Sequence, residues 1–150
     1  MPQTLGFVLV HVIFSTKGRA PLLGDAVRPD LYAYLATVVR NAGCECYRVG
    51  VVADHVHLAI RLSRTLSVAD LVADLKTSSS KWLKGMGPAL RQFAWQTGYG
   101  VFSVGPANMG ALWEYIDGQE SHHAHRSFQE EYRGFLKRYG VDFDEPYVWD

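Results

Sequence analysis

Between Cys44 and Leu62 the chain reads "CECYRVGVVADHVHLAIRL". Two runs rich in strand-forming residues stand on either side of a turn at Ala53-Asp54-His55. So short a connection joins antiparallel neighbours, because a parallel pair needs a crossover of about a dozen residues or more. The spacing therefore predicts a β-hairpin and commits the chain to an antiparallel sheet.

The flanking segments extend this pattern. Residues 7–14, "FVLVHVIF", are apolar and β-branched and predict a first strand. Val27, Leu31, Tyr34, Leu35, Val38 and Val39 recur at helical spacing between Asp25 and Asn41, and Gly43 stops that helix. Ser67 caps a second helix running to about Lys84, with Val68, Leu71, Val72, Leu75 and Trp82 as its buried face. "FAWQTGYGVFSV" predicts a strand with a glycine-marked break, and a helix begins near Ala107 or Asn108 and runs through "GALWEYIDGQESHH". A last helix covers about Phe128 to Tyr139, and the tail "PYVWD" is expected to pack on the body because its aromatics are costly to expose together.

The order is β-α-β-β-α-β followed by two helices. This predicts an α+β fold of ferredoxin-like, RRM-like layout: an antiparallel four-stranded sheet with helices on one face and an added C-terminal helix. A chain of 150 residues with 48% hydrophobic content suits one folded domain spanning 1–150 and excludes a disordered chain. Fifteen Lys and Arg balance fifteen Asp and Glu, so a nucleic-acid surface must come from local clustering. The N-terminal run lacks a basic leader and is too short to span a bilayer, so no membrane association is expected. Cys44 and Cys46 on one strand have poor disulfide geometry and read as buried thiols of a reducing cytoplasm.

On the third strand Val56, Leu58 and Ile60 would face the helix-packed core, leaving His55 and His57 together on the opposite face. Two readings stay open at this point. The pair is either partly exposed and without a ligand, or it supplies the first two ligands of a metal ion. Further donors lie in the helix near the C-terminus, where Tyr115, Gln119 and His122 form one stripe beside the apolar stripe of Met109, Leu112, Trp113 and Ile116. Gly118 sits within that helix at a cost of about 1 kcal/mol relative to Ala. His122, His123 and His125 are read as surface or nucleic-acid-side residues rather than ligands, and His11 as structural.

From Lys76 to Arg91 the chain carries Lys76, Lys81, Lys84 and Arg91 with no acidic residue among them. Ser78, Ser79 and Ser80 add small hydroxyl donors suited to phosphate. Lys76, Ser79, Lys81 and Lys84 are therefore expected nucleic-acid contacts beside the histidines, with Lys17 and Arg19 after the first strand as a second positive point.

Taken together, "HVIFSTKGR", "DHVHLAI", "LKTSSSKWL", "WQTGYGVFSV", "YIDGQ" and the tail from Ser127 resemble the single-tyrosine HUH transposases of bacterial insertion sequences and their REP-associated relatives. The resemblance spans nearly the whole chain. It implies metal ligands at His55, His57 and Gln119, a nucleophile at Tyr115, and a divalent cation, Mg²⁺ or Mn²⁺. It also implies cleavage and rejoining of single-stranded DNA with hairpin ends through a 5′-phosphotyrosine, by a homodimer in a bacterial or archaeal cytoplasm. Such a dimer often pairs the tyrosine of one subunit with the histidines of the other. The family usually has Asn beside the Gln, where this chain has Gly118. Three rivals remain: a single-stranded nucleic-acid-binding module without catalysis, a domesticated REP-type nuclease with the same chemistry, and a metal hydrolase that uses water.

Overall fold

A computed structural model describes residues 2–123 and 126–150, without the side chain of His122. Four strands, β1 (Leu9–Ser15), β2 (Glu45–Val51), β3 (His55–Arg61) and β4 (Gly100–Val104), form one sheet in the order β2-β3-β1-β4. All neighbouring pairs are antiparallel. The helices are α1 (Arg28–Asn41), α2 (Val68–Lys84), α3 (Met109–Asp117), α4 (Gln119–His123) and α5 (Phe128–Arg138). The expected order and the α+β class hold.

Local chemistry sets the element ends. Ser67 caps α2 by accepting from the Asp70 N–H at 3.1 Å, and Ser127 caps α5 by accepting from the Glu130 N–H at 3.2 Å. β1 is buried along its whole length, as a central strand covered on both faces must be.

Those two faces differ in kind. On one, Val10, Val12, Phe14, Val56, Leu58 and Ile60 form an apolar layer with Leu31, Leu35 and Val39 of α1 and Leu71, Leu75 and Leu83 of α2. On the other, Ile13, Ala59 and Phe102 meet Leu112 and Ile116 of α3 and Phe128, Tyr132 and Leu136 of α5. The second face also carries His11, His55 and His57, since Ser15 pairs with His55, Ile13 with His57 and His11 with Ala59.

Two glycines let helices approach the second face. Gly50 pairs with His57, and a Cβ there would lie 2.9 Å from Ile116 Cγ2 and 3.1 Å from Ile116 O. A Cβ on Gly100, opposite Ile13, would lie 2.8 Å from the Tyr132 ring. A side chain at either position would push α3 or α5 off the sheet.

Several expectations are corrected. Strand β1 starts at Leu9, leaving Val8 53% exposed. Only residues 100–104 of the expected 93–104 strand pair regularly, with one isolated bridge from Trp95 to Thr16. The carbonyls of Gln96, Thr97 and Gly98 turn instead to the Lys76 ammonium. The helix expected to run through Gly118 breaks there into α3 and α4. Of the tail, Val148 and Trp149 pack on the α5 cluster, whereas Tyr147 is 70% exposed. Cys44 and Cys46 are free thiols, and burial pushes Cys46 up to about 11. Among the described residues no helix is long and apolar enough to cross a membrane.

Candidate active site

Alternation along β3 puts both His55 and His57 under the C-terminal helices, where each ring is held by its Nδ1 atom. His55 Nδ1 lies 2.7 Å from Asp54 Oδ1, and His57 Nδ1 lies 2.7 Å from His11 Nε2. A third ring joins them: His123 of α4 has Nδ1 2.7 Å from the Arg126 carbonyl. Holding Nδ1 fixes the ring and aims Nε2 inward.

The three Nε2 atoms converge on Glu131 of α5, which is 1% exposed. His57 Nε2 is 2.9 Å and His55 Nε2 3.6 Å from Glu131 Oε1, and His123 Nε2 is 3.0 Å from Oε2. His55 and His123 Nε2 stand 3.0 Å apart. One ligand atom from each of His55, His57, His123 and Glu131 falls within 4.8 Å of the others.

Burial alone would keep Glu131 protonated, but hydrogen bonds from His123, His55 and His57 outweigh it and hold the carboxyl well below the usual carboxylate range. His57 goes the other way: burial pushes it down to about 4 in spite of Glu131. His55 also loses hydration, yet Asp54 and Glu131 raise it above its ordinary value. Burial and the neighbouring His57 lower His11.

Tyr115 enters this cluster from α3. Its hydroxyl donates a hydrogen bond to Glu131 Oε2, and its ring lies edge-on to His57 with centroids 5.8 Å apart. Burial first, and then the Glu131 charge, raise its pKa far above that of a free phenol. Gln119 follows just beyond the break at Gly118, which ends α3 by donating its N–H to Glu114 O at 3.0 Å. The Gln119 amide donates to Tyr115 O at 3.1 Å, while its buried Oε1 has no hydrogen-bond partner among the described residues.

Comparison with known proteins bears on this arrangement. The family profile described as "Transposase IS200 like" matches residues 7–119, three quarters of the chain.

The chain belongs to the IS200-like transposase family.

It is 25% identical over 114 residues to the ISDra2 transposase TnpA of Deinococcus radiodurans, covering 73% of this chain and 81% of that protein. A solved structure from Deinococcus radiodurans R1, described as a candidate transposase, matches with a TM-score of 0.65 and 26% identity over 79% of this chain and 95% of that one. A REP-associated tyrosine transposase solved with a REP hairpin shares the fold, with a TM-score of 0.60 and 14% identity over 82% of this chain and 74% of its own.

For a transposase of this family the expected DNA contacts divide into two groups. Lys17 is exposed and Arg19 half-buried just past the end of β1 that pairs with His55, with Arg19 over the Trp149 ring. The α2 residues need correction. Helix α2 packs on the apolar face, opposite the histidines, so exposed Lys81 and Lys84 are not beside the site. Lys76 donates to three backbone carbonyls at 2.8, 3.1 and 2.6 Å, and burial pulls it down to about 8. Ser79 is fully buried, donating to Leu75 O and accepting from Trp95 Nε1 at 2.9 Å. Lys76 and Ser79 therefore hold structure together and are not free to meet phosphate.

The histidine reading also changes. His123, expected on the surface or DNA side, lies on α4 beyond the break at Gly118 and reaches His55. The side chain of His122 and all of His125 lie outside the described residues. Sequence reasoning missed Glu131 altogether, although a signal exists. It is the one charged residue on the stripe Phe128, Glu131, Tyr132, Leu136 that buries α5. His11, read as structural, is the hydrogen-bond partner of His57.

Proposed function

We propose that the chain cuts and rejoins single-stranded DNA with Tyr115 as nucleophile. The observation that carries this reading is the shared Glu131 carboxylate, which touches the Tyr115 hydroxyl through one oxygen and His57 through the other. Glu131 thus links the nucleophile to the histidine pair.

In the reaction the Tyr115 oxygen attacks phosphorus, a tyrosine O–P bond forms, and the bond to the 3′ oxygen breaks. The products are a 5′-phosphotyrosine and a free 3′-hydroxyl. Reversal with another 3′-hydroxyl rejoins strands without ATP, since the phosphotyrosine conserves the bond energy. Burial and Glu131 together keep the phenol protonated at rest, so the nucleophile stays quiescent until positive charge offsets that carboxylate.

His55, His57 and Gln119 would hold a divalent cation, Mn²⁺ or Mg²⁺. The residues fit such an ion: the His55 and His57 Nε2 atoms turn to the same Glu131 oxygen, and the buried Gln119 Oε1 has no hydrogen-bond partner among the described residues. A bound cation supplies Lewis-acid charge beside the scissile phosphate. The substrate class is a single strand with hairpin ends, supported by the relative solved with a REP hairpin. Lys17 and Arg19 are the phosphate contacts beside the site. Two ends must be cut to move an element, so two copies act as a homodimer in the cytoplasm, each working as one domain.

The test is a denaturing gel of labelled single-stranded DNA bearing a hairpin end, incubated with protein and Mn²⁺ or Mg²⁺. A shifted, protease-sensitive band that disappears in Tyr115→Phe supports the reading. Tight binding with neither cut nor adduct contradicts it and favours a binding module.

A further inference from the structure

We infer that His123 and Glu131 also ligate the cation, so that the C-terminal helices as well as the sheet build its site. The inference rests on the cation site proposed above and extends its ligand set.

Three observations carry it. First, His123 is oriented as His55 and His57 are. Each ring has Nδ1 anchored, by Asp54, His11 or the Arg126 carbonyl, and each presents Nε2 to Glu131. A carboxylate or carbonyl on the far nitrogen is the usual support of a metal-bound imidazole. Second, the spacing fits a single ion. Ligand atoms about 2.1 Å from a common ion, at tetrahedral or octahedral angles, lie about 3.0–3.5 Å from one another. Four of the six separations here are 2.9, 3.0, 3.0 and 3.6 Å, and one donor atom from each residue falls within 4.8 Å of the others. Third, a buried carboxylate facing three imidazoles is an expensive arrangement for stability alone, and its donor set of three nitrogens and an oxygen suits a first-row divalent ion.

The arrangement has a mechanistic use. Glu131 touches Tyr115 as well as the histidines, so one carboxylate ties the nucleophile to the cation. It also couples α4 and α5 to the sheet, making the docking of the C-terminal helices dependent on the ion.

Mn²⁺ binding to the whole protein tests this without reference to activity. Pulsed EPR on wild-type protein with ¹⁵N-labelled histidine counts the coordinated imidazoles. Three coupled nitrogens support the inference, and two overturn it while leaving the His55–His57 site intact. Calorimetric titration adds variants: Glu131→Gln and His123→Asn should each weaken Mn²⁺ binding about tenfold or more, as should His57→Asn. If His57→Asn loses binding while Glu131→Gln and His123→Asn bind as wild type, the inference fails and the proposed site stands. If His57→Asn also binds as wild type, the proposed site fails with it.

Discussion

The two faces of one sheet solve opposite problems. Val56, Leu58 and Ile60 point into a layer closed by α1 and α2, which is apolar apart from the Ser79 hydroxyl that meets the Trp95 indole. One residue away in each direction, His55 and His57, themselves fully buried, point into a layer that holds four imidazoles, a carboxylate and a phenol. The first face gains stability in proportion to apolar area removed from water. The second must find partners for the polar groups it buries, and it does so for the imidazoles by anchoring rings at Nδ1 and gathering Nε2 around Glu131. Strand alternation thus lets a single seven-residue strand serve core and chemistry at once.

The comparison can be broken from either side. His57→Ala should cut strand cleavage toward 10³-fold, about 4 kcal/mol of transition-state stabilisation, measured as single-turnover rates on a labelled strand. Leu58→Ala, next to it on the other face, should lower unfolding free energy by roughly 3–4 kcal/mol in urea. Where that variant is still folded, its cleavage rate should stay within a few-fold of wild type.

Acid should separate the faces further. An unfolded histidine titrates near its ordinary value, whereas His57 in the folded chain is held at about 4. As pH falls from about 6.5 to 4 the unfolded chain takes up a proton that the folded chain refuses, so stability drops by up to about 3 kcal/mol. Glu131, held low, works in the same sense, its contribution being lost as pH falls below the ordinary carboxylate value. His55 is raised, so its contribution is present below about pH 6.5 and lost as pH rises through its folded value. Urea unfolding in EDTA across this range should show the acid limb, and His57→Asn should reduce it.

The smallest effects concern the cations. Lys76→Met should cost about 1–3 kcal/mol of stability by stranding three carbonyls, yet leave single-stranded DNA affinity unchanged. Replacing Lys17 and Arg19 together by Ala should cost at most about 1 kcal/mol of stability, from the lost Arg19–Trp149 contact, and reduce the salt slope of DNA binding by about 1.4. Lys81→Ala and Lys84→Ala on the far face should alter binding by less than about twofold.

What could be read from the sequence follows from the range of each interaction. The hairpin, the helix faces and the shared face of His55 and His57 depend on neighbours two to four residues away, so periodicity reveals them. The Tyr115–Gln119 spacing was legible for the same reason. Glu131 was not, because its partners at His55 and His57 lie 76 and 74 residues away and only tertiary packing joins them. Ser79 and Lys76 misled because hydroxyls and ammonium groups that suit phosphate also suit an indole and a bare loop, here 16 and about 20 residues onward. Gly118 looked like a cost within a helix. It is the break between α3 and α4, and His123 of α4 reaches the sheet.

The central claim is that the polar face gathers Tyr115 and the histidines into one DNA-cleaving centre. The most direct test is mass spectrometry of the covalent product after nuclease and trypsin digestion. The account predicts a nucleotide mass on the peptide carrying Tyr115, dependent on divalent cation and lost in His57→Ala. An adduct on any other residue, or a cut strand with free ends and no adduct, would contradict it.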